Sequence, residues 1–132
     1  MKLRGILLGI AAILSGLTSA PGAAAERVPI IGNDGPDMDA CAGIARIFTM
    51  EELLSVYEEP DQYARKKGGL PTSTLVWLCE AEDEWQGIVY PTGEFQDLGD
   101  CRVSTPVAQP RAYEGPCEHG WVMASNLNLT TQ

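Results

Sequence analysis

Between Leu75 and Tyr90 the chain reads LVWLCEAEDEWQGIVY, two apolar runs (LVWLC and WQGIVY) on either side of the polar stretch EAEDE. Val, Ile, Trp and Tyr suit a pleated, half-buried surface while the carboxylates stay in water, so this pattern predicts a β-hairpin. Gly87 interrupts the second arm, as a bulge or a close backbone approach requires. Upstream, residues 40–48 (ACAGIARIF) alternate weakly, with Ile44, Arg46 and Phe48 on one face and Ala45 and Ile47 on the other. Residues 49–69 fit two templates. Thr49 and Glu52 have the spacing of a helix capping box, followed by a stripe of Leu53, Leu54 and Tyr57. Against that, Leu54-Ser55-Val56 alternates like a strand and Pro60 would stop a helix after about two turns. Gly68-Gly69 reads as a turn. Near the end, Trp121 and Met123 alternate with Val122, and Asn126 suits a tight turn before Leu127 and Leu129. Short strands punctuated by turn signals predict a small all-β barrel or sandwich.

The first 25 residues have a different pattern. Lys2 and Arg4 precede an apolar run from Gly5 to Leu17, and small residues follow up to Ala23-Ala24-Ala25. A basic start, a short apolar centre and an A-x-A site predict a cleaved secretory signal peptide over residues 1–25. The apolar run is shorter than the roughly 20 residues that span a bilayer as a helix, so no membrane association is expected after cleavage. Residues 26–39, rich in Gly, Pro and Asp around an apolar island at Val28–Ile31, read as a flexible acidic N-terminal arm. The cluster from Asn33 to Asp39 lacks the ligand spacing of a calcium loop and is read as solvated. Residues 40–132 form one expected domain.

Charge and cysteines narrow the setting. The leader holds two of the nine cations and none of the 18 acids, so the exported part carries seven cations against 18 acids, a net charge of −11. Nucleic acid is an unfavourable partner for such a chain, because its phosphates are bound by Lys and Arg. A cationic partner protein is favoured by opposite charge. Cys41, Cys79, Cys101 and Cys117 all lie in the exported part, and an even count in an oxidising compartment predicts two disulfides. Three connectivities are open; the compact loop with prolines at 106, 110 and 116 favours Cys101–Cys117, which leaves Cys41–Cys79. The expected location is periplasmic or secreted.

The order of these features resembles the bacterial SH3-like domain. That family has a first strand with an L-x-V-R-x-x-P pattern, here Leu54 to Pro60, and a long loop. A strand then leads into a hairpin, here Leu70-Pro71 and Thr74 to Leu78, whose second arm opens on Trp, here Trp85 to Tyr90. The closing W-V-x-x-x-x-L motif is Trp121 to Leu127. The chain is similar to small exported four-cysteine members from Gram-negative bacteria. These share D-C-x-V-S-x-P, here Asp100 to Pro106, and G-P-C-x-x-G-W-V, here Gly115 to Val122. Tyr57 stands where the family usually has Arg, Glu59 where Gly precedes the Pro, and Ser73 where a turn Gly is usual. The resemblance implies an all-β, SH3-like β-barrel, with residues 93–116 as an insertion pinned by a disulfide.

Candidate chemistry is sparse. His119 lies two residues after Cys117, but such a pair acts as nucleophile and base only with a free thiol, which paired cysteines exclude. No zinc spacing, P-loop, nucleophile elbow or dinucleotide fingerprint is present, and neither a metal, a cofactor nor catalysis is expected. Tryptophan and tyrosine concentrate at binding surfaces, combining apolar area with a polar handle. Trp77 and Trp121 are assigned to the core, and Tyr57, Glu59, Tyr63, Trp85 and Tyr90 to a candidate ligand surface on the first loop and the hairpin. The resemblance implies a non-catalytic binding module for a peptidoglycan peptide or a periplasmic protein, a cationic one included. The alternative is a small acidic inhibitor of a cationic enzyme such as a lysozyme-type wall hydrolase. No oligomeric state follows from the sequence.

Overall fold

A computed structural model describes residues 26–94 and 97–131; the expected signal peptide lies outside the described residues. The described chain is all-β and carries no α-helix. Its strands are β1 (Ile30–Ile31), β2 (Gly43–Ile47), β3 (Leu54–Tyr57), β4 (Lys66–Leu70), β5 (Leu75–Glu82), β6 (Trp85–Tyr90), β7 (Arg111–Ala112), β8 (Glu118–Met123) and β9 (Leu127–Thr131). Short 3-10 turns occupy Leu98–Cys101 and Ala124–Asn126. Seven strands form one antiparallel sheet in the order β4-β3-β8-β6-β5-β2-β9, and β1 pairs with β7 beside it.

The sheet is open in its pairing, since β4 and β9 stand at its two ends, so the expected closed barrel is not what the strand order gives. It is nevertheless strongly curved. Only residues 71–74 join β4 at one end to β5 in the middle, and the carbonyl of Pro71 accepts a hydrogen bond from the Thr74 amide, making that link a turn. Four strand spacings in a flat sheet would be about 19 Å, more than a turn can span. Side chains from β2, β3, β4, β5, β6 and β8 accordingly meet in one apolar cluster of Ala45, Ile47, Val56, Leu70, Val76, Ile88, Tyr90 and Val122.

The predicted hairpin forms, with a tighter tip than the polar stretch suggested. β5 continues to Glu82, which pairs with Trp85, so only Asp83 and Glu84 turn the chain, Asp83 with φ 54°. Leu78 pairs with Ile88 but Ala81 with Gln86, so the bulge lies on β5, opposite Gly87. Gly87 itself is where another segment presses in: a Cβ there would meet Pro29 Cβ at 2.9 Å. Residues 49–69 resolve as two strands rather than a helix, and Gly68-Gly69 lies within β4, not in a turn, paired with Ser55 and Val56. Both glycines are exposed at this sheet edge, and a Cβ at Gly69 would meet Leu53 Cβ at 3.0 Å.

The stretch expected to be a flexible arm is held against the sheet over its first half. Pro29, Ile31 and Gly32 are buried, Tyr113 N–H donates to the Pro29 carbonyl, and Ile30 N–H donates to Glu80 Oε1 at 2.9 Å. Residues 34 and 36–39, bearing the exposed acids, stay in solvent. The disulfides are Cys41–Cys79 and Cys101–Cys117. The second lies against a second apolar cluster with Ile31, Trp77, Val89, Val103 and Tyr113. There the Tyr113 hydroxyl donates to the Cys101 carbonyl and accepts from Cys117 N–H, tying the insertion's two ends together.

Candidate functional site

Register decides which side chains share a face, because directly opposed residues of an antiparallel pair point the same way. Trp85 opposes Met123, Gly87 opposes Trp121, Val89 opposes His119, and Tyr57 opposes Trp121. The other face, carrying Ile88, Val122 and Val56, fills the curved interior. The first face is covered by the arm and the insertion at Trp77, Val89 and Trp121. It is left uncovered at Tyr57, Trp85 and Met123.

There the surface sinks into a groove of about 740 Å³. Tyr57 and Trp85 meet edge to face, ring centroids 5.5 Å apart, with Leu54, Pro60 and Met123 beside them. Three carboxylates, Glu51, Asp61 and Glu84, line the same groove against a single cation, Lys66. Half-exposed rings beside excess negative charge can hold an ammonium or guanidinium group, a contact worth about 0.5–1 kcal/mol at an exposed ring and more as water is excluded.

Of the five ligand-surface residues expected from sequence, Tyr57 and Trp85 are brought together here. Glu59 is half-buried, does not line the groove, and its carbonyl accepts from the Asp61 amide. Tyr63 is 86% exposed on the loop, away from the groove lining. Tyr90 is not a surface residue: it belongs to the interior cluster, and burial, helped by the carboxylates of Glu118 and Glu26, pushes its hydroxyl pKa above the ordinary value. The alternation of β6 explains the correction, since Trp85 and Tyr90 lie five positions apart and face opposite ways. Alternation puts Met123 on the same face as Trp121, and the β6–β8 register sets that face level with Trp85. Glu84 sits at the hairpin tip immediately before Trp85, whereas Glu51 comes from the loop before β3 and carried no local signal.

His119 is not part of this groove. Its Nδ1 is buried without a hydrogen-bond partner, 3.6 Å from Glu26 Oε2, while Lys67 pairs with Glu26 and lies 3.4 Å from Glu118. Burial, then the Lys67 charge, lowers its pKa below the ordinary 6.5, against the opposing pull of Glu26 and Glu118. The unfolded chain therefore takes up this proton more readily than the folded one. The stability tied to neutral His119 is full above pH 6.5 and is lost as pH falls through that value towards the lower folded pKa. His119→Gln is expected to remove that pH dependence. Denaturant titrations of both chains between about pH 7.5 and about pH 5 should show the wild type losing more stability on acidification; parallel curves would overturn the assignment.

Cys117 is in a disulfide, and no free cysteine occurs among the described residues. Nor do they contain a group of His, Cys, Asp or Glu side chains able to hold a metal ion. None of their helical segments is long and apolar enough to cross a membrane. The two disulfides point to an oxidising, extracellular compartment. Comparisons with protein-family models, with curated proteins and with solved structures gave no match.

Proposed function

We propose that this chain is an exported, non-catalytic SH3-like binding module, working in the periplasm or outside the cell, whose groove at Tyr57 and Trp85 takes an extended peptide presenting a cationic group. The groove itself carries this reading: two half-exposed rings in edge-to-face contact, flanked by Glu51, Asp61 and Glu84. Several features support the SH3-like assignment. A strand, a loop ending near Lys66, a hairpin, and a strand–3-10 turn–strand close follow one another in the order the resemblance implies. Ser73, where that family has a turn glycine, has φ 78°, a left-handed conformation that glycine adopts freely. Pro60 of the first motif lines the groove. The peptide's source is a peptidoglycan peptide or a periplasmic protein. The rim carboxylates also suit the alternative of an acidic inhibitor that receives Lys or Arg from a cationic enzyme.

The test is a titration of the oxidised protein with soluble peptidoglycan peptides and with a basic wall hydrolase, followed by tryptophan fluorescence. Trp85→Ala is expected to weaken the productive interaction tenfold or more, about 1.4 kcal/mol, as removal of a central aromatic anchor does. Binding to wall peptides points to the first source, and salt-sensitive capture of the hydrolase to the second. Equal affinity of Trp85→Ala and wild type for every ligand would discard the groove.

A further inference from the structure

The face that carries the groove continues beyond it, and its next position is already filled by a cation. Arg27 stacks on Trp121, its guanidinium carbon 4.9 Å from the ring centroid. Its Nη2 lies 2.8 Å from Glu80 Oε2 and its Nη1 2.5 Å from Glu82 Oε1. Trp121 and Glu82 are the cross-strand neighbours of the groove's own rings, Tyr57 and Trp85. An aromatic face flanked by carboxylates thus recurs side by side on one surface, once occupied by the chain's own arginine and once, with only Lys66 on its lining, open to solvent.

We propose that Trp121, Glu80 and Glu82 form a second cation subsite, contiguous with the groove and masked by Arg27, so that the Arg27 side chain is an internal competitor of a peptide carrying two cationic side chains. This rests on the reading of the groove as a peptide site. Exchange needs only the side chain to swing out, and it is 37% exposed. The Arg27 backbone stays held, since its carbonyl accepts from Trp121 Nε1 at 2.8 Å and its amide donates to the Glu58 carbonyl. Glu80 keeps its place when the guanidinium leaves, because Ile30 N–H still donates to it. The vacated subsite is therefore pre-organised. Directly opposed residues such as Tyr57 and Trp121 lie about 5 Å apart, and an extended ligand comes nearest to that with residues i and i+2, on one face about 7 Å apart, so the matching peptide carries two basic residues separated by one.

The probes are acetyl-Gly-Arg-Gly-Arg-Gly-amide and its single-arginine analogue acetyl-Gly-Arg-Gly-Gly-Gly-amide, titrated calorimetrically into the oxidised protein. Wild type is expected to bind the two within about threefold. Arg27→Ala is expected to strengthen the two-arginine probe about tenfold, roughly 1.4 kcal/mol, with the single-arginine probe little changed. Adding Glu80→Gln and Glu82→Gln should abolish that gain. Arg27→Gln, which keeps the stem over Trp121, serves where the alanine variant fails to fold. An unchanged ratio of the two affinities in a folded Arg27 variant overturns the masked subsite, even if Trp85→Ala still abolishes binding and the groove stands. A gain in Arg27→Ala that Trp85→Ala leaves intact would keep the subsite and discard the groove. Failure of both probes with every variant overturns both.

Discussion

Trp121→Ala is expected to leave a chain that barely folds. Among the described residues Trp121 is the largest fully buried side chain, set between Gly87 and Tyr57 on the neighbouring strands. Truncating a buried tryptophan typically costs about 3–5 kcal/mol in lost transfer energy and residual cavity. The same change removes the indole hydrogen bond to the Arg27 carbonyl and the surface on which the guanidinium rests. A domain of this size has about 5–15 kcal/mol in total, so a large part of its margin would go. Denaturant midpoints measured on the oxidised protein check this. A loss below about 1 kcal/mol would mean that the arm and Trp121 do not pack as described.

Removing the disulfides is expected to be comparably damaging, and unequally so. Cys41–Cys79 spans 38 residues and Cys101–Cys117 spans 16. Loop-closure entropy assigns them about 4 and about 3 kcal/mol, because the longer loop restrains more of the unfolded chain. The double substitution Cys41→Ser/Cys79→Ser should therefore destabilise more than Cys101→Ser/Cys117→Ser, although the second bridge lies in the more elaborate segment. Full reduction, about 7 kcal/mol in all, should unfold the domain outright. Unfolding curves with and without reductant, and of each double variant, provide the measurement. An order reversed between the two pairs would show that native contacts around Tyr113, not chain entropy, set the value of the second bridge.

Local pattern located β2, β5, β6 and β8, whereas β1, β4 and β7 carry no such signal. The hairpin of β5 and β6 was legible because alternation and composition agree over adjacent residues. In β2 and the residue after it, burial of Ala45 and Ile47 with exposure of Arg46 and Phe48 follows from the same period. The helix-or-strand ambiguity at residues 53–57 was real, since a four-residue strand is too short for period to decide. Tyr57 and Trp85 could be named as surface aromatics. That they touch, and that Tyr90 turns inward, depended on strand register.

What the sequence by itself determined is an acidic, cysteine-paired chain of short strands with a leader-like start, because charge, composition and period are properties of neighbouring residues. Which face the arm covers, where it stops and what it leaves open were decided only in three dimensions. Arg27 meets the indole of Trp121 across 94 positions and Glu80 across 53. The groove draws together three separate stretches, Glu51 to Lys66, Glu84-Trp85 and Met123 to Asn126. Contacts at such separations arise from the curvature and register of the sheet, and no local pattern encodes them.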